Sequence, residues 1–252
     1  MATPSVPPYS AVLIMLEDGL VPWQTLSHWQ WAWRPRGPML SERSARAAIK
    51  RSVLGWDRRR WLALTGGSAL PDAQAYRGHL KETLAAIAGH PLPDAETEAV
   101  VGRFLKPTNE VEAFPDALPS LGALLTRGVK VGVVSSLPAE VVRWSMKRST
   151  IPDSLFIEPA AGTAGFPDPV AFRAAVEKLG VPRKRTMFVG PLFWSDVRAA
   201  GRAGLNAELL DRHDWWARVE APRWSSLRPL VDAPQAQGTA TPPNSPEPSG
   251  AP

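Results

Sequence analysis

The segment from Gly165 to Asp211, GFPDPVAFRAAVEKLGVPRKRTMFVGPLFWSDVRAAGRAGLNAELLD, constrains the fold more than any other, because it reads as helix, strand, helix, strand. Pro169 suits the first turn of a helix, where its missing N–H costs no internal hydrogen bond. Phe172, Ala175, Val176 and Leu179 recur at helical spacing, and Gly180 is placed to close that helix. Thr186 to Val189 is a short apolar run of the kind that forms a strand buried on both faces. Gly190 turns the chain, Ser195 is placed to cap a second helix, Gly204 to stop it, and Ala207 to Leu210 reads as a further strand. This alternation predicts a doubly wound α/β domain with a Rossmann-like core and a parallel sheet, whose ligands sit at the carboxyl ends of the strands.

The rest of the chain extends that pattern and interrupts it once. Ala11 to Leu16, AVLIML, reads as a buried central strand. From Pro22 to about Thr108 the pattern is helical. Ser41 caps a predicted helix through about Leu54, with Ala45, Ala48, Ile49 and Val53 on one face. Two more helices run from Asp72 to about Ala88 and from Asp94 to about Leu105, split by Gly89-His90-Pro91. The α/β alternation then resumes with a helix from Pro115-Asp116 through Thr126 and a strand over Val129 to Val134, ending at Ser135-Ser136. A helix over Pro138 to Lys147 and a short strand over Leu155 to Ile157 follow. The expected organisation is an α/β core made of 1–21 and 109–232, a helical insert at 22–108 and a tail at 233–252. The tail is Pro-rich, with Glu247 as its single charge, and this composition predicts disorder.

Composition narrows the classes. A chain of 252 residues holds one large domain, or one domain with an insert. With no cysteine, disulfides and thiolate metal sites are excluded. The start, MATPSVPPYS, lacks the layout of a signal peptide, and no apolar run approaches the roughly 20 residues of a membrane span, so a cytoplasmic protein is expected. The net charge of +5 is carried largely by the helical insert, where Trp23, Trp29, Trp31 and Trp33 precede a run of arginines ending in Arg58-Arg59-Arg60-Trp61. Two readings stay open. Trp29, Trp31, Trp33, Arg58, Arg59 and Arg60 form a partner surface, for a protein ahead of nucleic acid, or the tryptophans are core and the arginines a solvated face. His28, His79, His90 and His213 have no metal or triad spacing, and no Walker loop or dinucleotide fingerprint occurs.

The Gly165-Phe166-Pro167-Asp168-Pro169 segment, its helix, and the strand ending in Gly190-Pro191 with Asp196 beyond it resemble the haloacid dehalogenase-like hydrolase superfamily, in the phosphoglycolate phosphatase-like subgroup with a helical cap. The resemblance implies that 22–108 is the cap over an active site. It also implies that the first strand should end in Asp-x-Asp-Gly-Thr, a nucleophile followed by a general acid/base. Two alignments fit: Met15 with Glu17, or Leu16 with Asp18. Either way the nucleophile is replaced by a side chain that forms no acyl phosphate. By the same resemblance Ser135 stands at the second motif, Phe166 at the lysine, Pro191 at the first acid of the last motif and Asp196 at a later one. The remnants are thus Glu17, Asp18, Ser135 and Asp196, of which Asp18, Ser135 and Asp196 also have ordinary local readings as turn, loop cap and helix-dipole partner. Met15, Phe166, Pro191 and Trp194 are expected to fill the site as an apolar plug or to line a pocket. This implies no cofactor, with Mg²⁺ relevant only if hydrolysis persists. The expected function is a binding or regulatory module that has lost phosphatase or dehalogenase catalysis. The alternatives are a divergent hydrolase using Glu17 or Asp18 with Asp196, and a cap-mediated binder of nucleic acid or another anionic partner.

Overall fold

The computed structural model describes residues 9–23, 25–34, 41–105 and 112–232. The expected tail disorder, the start of the chain, Arg36 and the insert's C-terminal boundary near Thr108 lie outside these residues. Strands β1 (Ala11–Met15), β2 (Lys130–Val134), β3 (Thr186–Gly190), β4 (Asn206–Leu210) and β5 (Arg223–Trp224) form one parallel sheet in the order β2-β1-β3-β4-β5. β1 is central because all five of its residues are apolar and buried, which suits a strand covered on both faces. Its alternate side chains serve two layers. Val12, Ile14 and Leu16 pack with helices α5 (Ala117–Thr126) and α6 (Ala139–Arg148) through Leu121, Leu124, Val142 and Met146. Leu13 and Met15 face the other way, toward Phe172, Ala175 and Val176 of helix α7 (Pro169–Leu179). α7 starts and stops as its sequence dictates: Asp168 accepts from the Val170 N–H, Pro169 takes the first turn, and Gly180 closes it in the left-handed conformation. Helix α8 (Ala199–Arg202) adds Ala199 and Ala200 to that layer, and α9 (Arg228–Asp232) closes the described chain.

Between β1 and α5 lie four helices, α1 (Leu26–Trp33), α2 (Glu42–Gly66), α3 (Ala73–Ala88) and α4 (Asp94–Leu105), with their own apolar core. Ser41 caps α2 as expected and Asp72 caps α3, while α2 runs 25 residues instead of stopping near Leu54. Its buried stripe continues past Val53 through Trp56, Asp57 and Arg60, so the helical period persists although the apolar character does not. Trp29 and Trp33 are buried in this core, and Trp31 packs half-buried against it. Arg60 is buried, whereas Arg58 and Arg59 are exposed. Of the six residues named for a partner surface, Trp29, Trp33 and Arg60 are thus withdrawn into the interior, while Arg58, Arg59 and part of Trp31 remain accessible. The tryptophans hold the helices together, as each buried apolar side chain contributes roughly 1.5–3 kcal/mol. His28 and His79 belong to the same interior, and burial pushes both down to about 4, so they stay neutral.

Two smaller expectations are corrected. Leu155 to Ile157 is no strand: a 3₁₀ turn over Asp153–Leu155 leads to a single bridge between Phe156 and Val133. Ser195 caps nothing, because it sits inside a six-residue π-helical turn, Phe193–Arg198, that precedes α8. Among the described residues no helix is long and apolar enough to cross a membrane.

Candidate active site

A cavity of about 540 Å³ lies between the carboxyl end of the sheet and the helices of the insert. Met15, Phe166 and Pro191 are on its wall, as are Glu17, Asp18, Ser135 and Asp196. The chain after β1 decides which residues reach it. Met15 and Glu17, two apart, both line the cavity, while Leu16 points into the opposite layer with Ile14. The geometry thus places Met15 rather than Leu16 on the floor. Trp194 is not on the wall: its backbone N–H is held by Asp57 of α2, and its ring leans toward Trp61 at 6.0 Å. The space is open rather than plugged, and its lining is mostly apolar with acids set among it.

Each acid and hydroxyl on the floor makes at least one contact within the chain. Glu17 Oε1 accepts from the Ser136 N–H at 2.9 Å and from the Ser136 hydroxyl at 2.8 Å, tying the end of β1 to the end of β2. Its Oε2 is buried and has no hydrogen-bond partner. Burial raises the Glu17 pKa, and the hydroxyls of Ser135 and Ser136 oppose this. Ser135 Oγ accepts from the Leu137 N–H at 3.0 Å, the loop-capping role open to it from sequence. Asp18 adopts a left-handed backbone, φ 53°, which an aspartate tolerates. Its Oδ1 accepts from the Trp23 N–H at 2.8 Å and lies 3.4 Å from His213 Nε2. Burial raises its pKa too, with His213 opposing.

Asp196 is held back by its own turn. Oδ2 accepts from the Leu192 N–H at 3.3 Å, and Oδ1 lies 4.0 Å from Nη1 of Arg60. Gly190 permits this approach, since a Cβ there would stand 2.6 Å from the Phe188 ring and 3.2 Å from the Asp196 Cβ. Arg60 also donates to the Phe166 carbonyl at 3.0 Å, so a cation from the insert spans the lysine-like and acid-like positions named in the sequence. One turn earlier on α2, the fully buried carboxylate of Asp57 accepts from the N–H groups of Trp194 at 2.9 Å and Ser195 at 2.6 Å, satisfying the start of the π-helical turn. Asp57 and this role of Arg60 went unseen from sequence. The signal was the stripe of α2, where 53, 56, 57 and 60 continue the period of 45, 48 and 49.

Burial pushes the Asp196 pKa up from 3.8 to about 8. Arg60 opposes the rise, and Asp57 and Glu17 add to it. A loose 4.0 Å pair does not offset the lost hydration. The folded protein thus keeps a proton that the unfolded chain gives up near pH 3.8, so stability is fullest below that value and is lost as pH rises toward about 8. Asp196→Asn is expected to flatten this decline and to raise stability at pH 8 relative to the parent, by an amount on the order of 1–3 kcal/mol. Urea unfolding at acid and mildly alkaline pH checks both the slope and its loss.

A family model described as haloacid dehalogenase-like hydrolase matches residues 21–204. The chain belongs to the haloacid dehalogenase-like hydrolase family. Among curated relatives it is 31% identical over 117 residues to the phosphoglycolate phosphatase of Rhodospirillum rubrum, covering 43% of this chain and 48% of that protein. It is 28% identical over 136 residues to (S)-2-haloacid dehalogenase 1 of Pseudomonas sp. (strain CBS-3), covering 53% of this chain and 60% of the relative. The chain thus aligns with only about half to three-fifths of those relatives' length. The structure of L-2-haloacid dehalogenase from Xanthobacter autotrophicus superposes with a TM-score of 0.64 at 17% identity, over 88% of this chain and 97% of that one. At that identity the likeness shows the fold alone.

Proposed function

We propose that this member of the hydrolase family has lost phosphoryl-transfer and dehalogenase catalysis and uses the cavity above β1 to bind a ligand. The observation that carries the reading is Met15 on the cavity floor, at the end of the central strand, where the resemblance calls for an aspartate nucleophile. A thioether gives neither an acyl phosphate nor an acyl ester, so the covalent step of the family has no starting group at that position.

The family is typically Mg²⁺-dependent, and the residues present do not fit that ion. Magnesium takes hard oxygen donors in an octahedral shell. Pro191 offers no side-chain oxygen, and Asp196 is committed to its own backbone and to Arg60. Among the described residues no three His, Cys, Asp or Glu gather in a way that could hold a metal. Arg60 supplies the compensating charge from the insert instead.

One observation favours a second reading, a hydrolase that works by a divergent route. Glu17 is a buried carboxyl with a raised pKa on a cavity wall, the environment in which general acids are found. Steady-state assays on phosphate monoesters and 2-haloacids, with and without Mg²⁺, separate the two. No turnover above the rate of a Glu17→Gln, Asp18→Asn double variant is the expected result. Turnover that this variant abolishes would favour the divergent hydrolase.

A further inference from the structure

Charge on the cavity wall is unbalanced. Among the described residues five acids line it, Glu17, Asp18, Asp72, Glu140 and Asp196, against one cation, Arg60, although Asp196 holds its proton to about pH 8 and adds no charge at neutral pH. That cation is held by the Phe166 carbonyl, with Asp196 4.0 Å away. Phe166 fills the position where the resemblance expects a second positive charge. Glu17 is 93% buried by its 7% exposure, and its Oε2 lacks any hydrogen-bond partner, so the floor holds an acceptor that the protein itself leaves unsatisfied. An anion such as a phosphate ester would meet these acids and, among the described wall residues, only Arg60 as a cation, itself held by the Phe166 carbonyl.

The other walls are aromatic. Trp23 donates from Nε1 to the Tyr76 hydroxyl at 3.1 Å, and the Trp56 ring lies 5.2 Å from that of Tyr76, so three rings adjoin in one wall. Asp18 accepts from the backbone of Trp23, which puts a floor acid at the foot of this wall. Aromatic faces beside carboxylates favour organic cations, through the negative face of each ring and the acids behind it. A metal ion is the poorer match, since its oxygen shell is not assembled here.

We propose that the cavity takes a small organic ammonium with an apolar or aromatic body, its charged head over Glu17 and Asp18 and its body against Trp23, Trp56 and Tyr76. The inference rests on the reading of the cavity as a binding site and adds the class of ligand. Its chemistry is the reverse of the anionic substrate implied by the family resemblance: the lost lysine and the surplus of acids make a site that lacks positive charge, and the ligand supplies it.

Isothermal titration without metal, using benzylamine, benzyl alcohol and benzyl phosphate as probes of one shape and three charges, tests this with the intact chain. Benzylamine, protonated at neutral pH, is expected to bind at least about tenfold more tightly than benzyl alcohol, with benzyl phosphate weaker still. Glu17→Gln, with folding checked by circular dichroism, should remove most of the gap between benzylamine and benzyl alcohol. Should that variant not fold, the order of affinities on the parent protein decides alone. Equal affinities for the amine and the alcohol, tighter binding of the phosphate, or no binding of any probe at millimolar concentration would each overturn the proposal. Mg²⁺-dependent hydrolysis of benzyl phosphate would instead sink the non-catalytic reading, leaving the metal-free affinity order to judge the charge preference separately.

Discussion

Met15→Asp combined with Phe166→Lys, which rewrites the two positions toward the family pattern, should destabilise the protein by about 3–5 kcal/mol and leave it without phosphatase turnover. Met15 is 2% exposed on a floor that already carries Glu17, Asp18 and Asp196. A new carboxylate there meets little water and acids whose own ionised forms burial already disfavours, so its ionised form is disfavoured too. Phe166 is 4% exposed and packs edge-on against Phe172 at 5.2 Å, which itself meets Phe188 at 4.8 Å. Lysine at 166 forfeits that packing and adds a second cation beside Arg60, which already donates to the carbonyl of that residue. Attraction between the new Asp and Lys recovers part of the loss, but neither restores an acid at Pro191 nor frees Asp196. Urea denaturation and a Mg²⁺-supplemented phosphatase assay measure the two outcomes. A variant within about 1 kcal/mol of the parent, or one that turns over substrate, would show that the frame still accommodates the lost chemistry.

Asp57→Ala should cost about 3 kcal/mol or more, the largest single-residue effect expected outside the apolar cores. Its carboxylate alone receives the N–H groups of Trp194 and Ser195, and its removal strands both donors in a buried seam and opens a void between α2 and the π-helical turn. Asp57→Asn, which keeps one carbonyl acceptor, is expected to lose less than half as much. The effect should also be local: hydrogen exchange at 192–200 should quicken in Asp57→Ala while the amides of β1 and β2 stay protected. Uniform loss of protection would mean that Asp57 supports the whole fold rather than this one turn.

How much of this was legible in sequence follows from what each element has to bury. β1, β2 and β3 are covered on both faces, so their sequences are nearly unbroken apolar runs and announce themselves. α7 carries a Pro at its start and a Gly at its end, both read correctly because each side chain has a local backbone reason to be there. α2 failed after Leu54 because its inner face changes from alanine, isoleucine and valine to Trp56, Asp57 and Arg60. Charged residues on a helix read as solvent-facing unless their phase is followed, and three consecutive arginines at 58–60 hide the one that points inward. The π-helical turn at Phe193–Arg198 was out of reach for a related reason: what stabilises its first N–H groups is a carboxylate more than a hundred residues earlier in the chain. The site positions themselves came from resemblance, and the structure adds the part that resemblance cannot carry: Met15 reaches the cavity while Leu16 turns away, and Trp194 belongs to another contact.

Catalytic silence is the central claim, and it is tested most directly by looking for a covalent enzyme intermediate. Intact-protein mass spectrometry after rapid acid quench, with enzyme in excess over acetyl phosphate plus Mg²⁺ in one arm and over a 2-chloroacid in the other, reads this without waiting for turnover. Unmodified protein in both arms is the predicted result, because the end of β1 presents a thioether to the cavity. A phosphoryl or alkyl adduct mapped to Glu17 or Asp18 would contradict it and establish that a neighbouring carboxylate has taken over the attack.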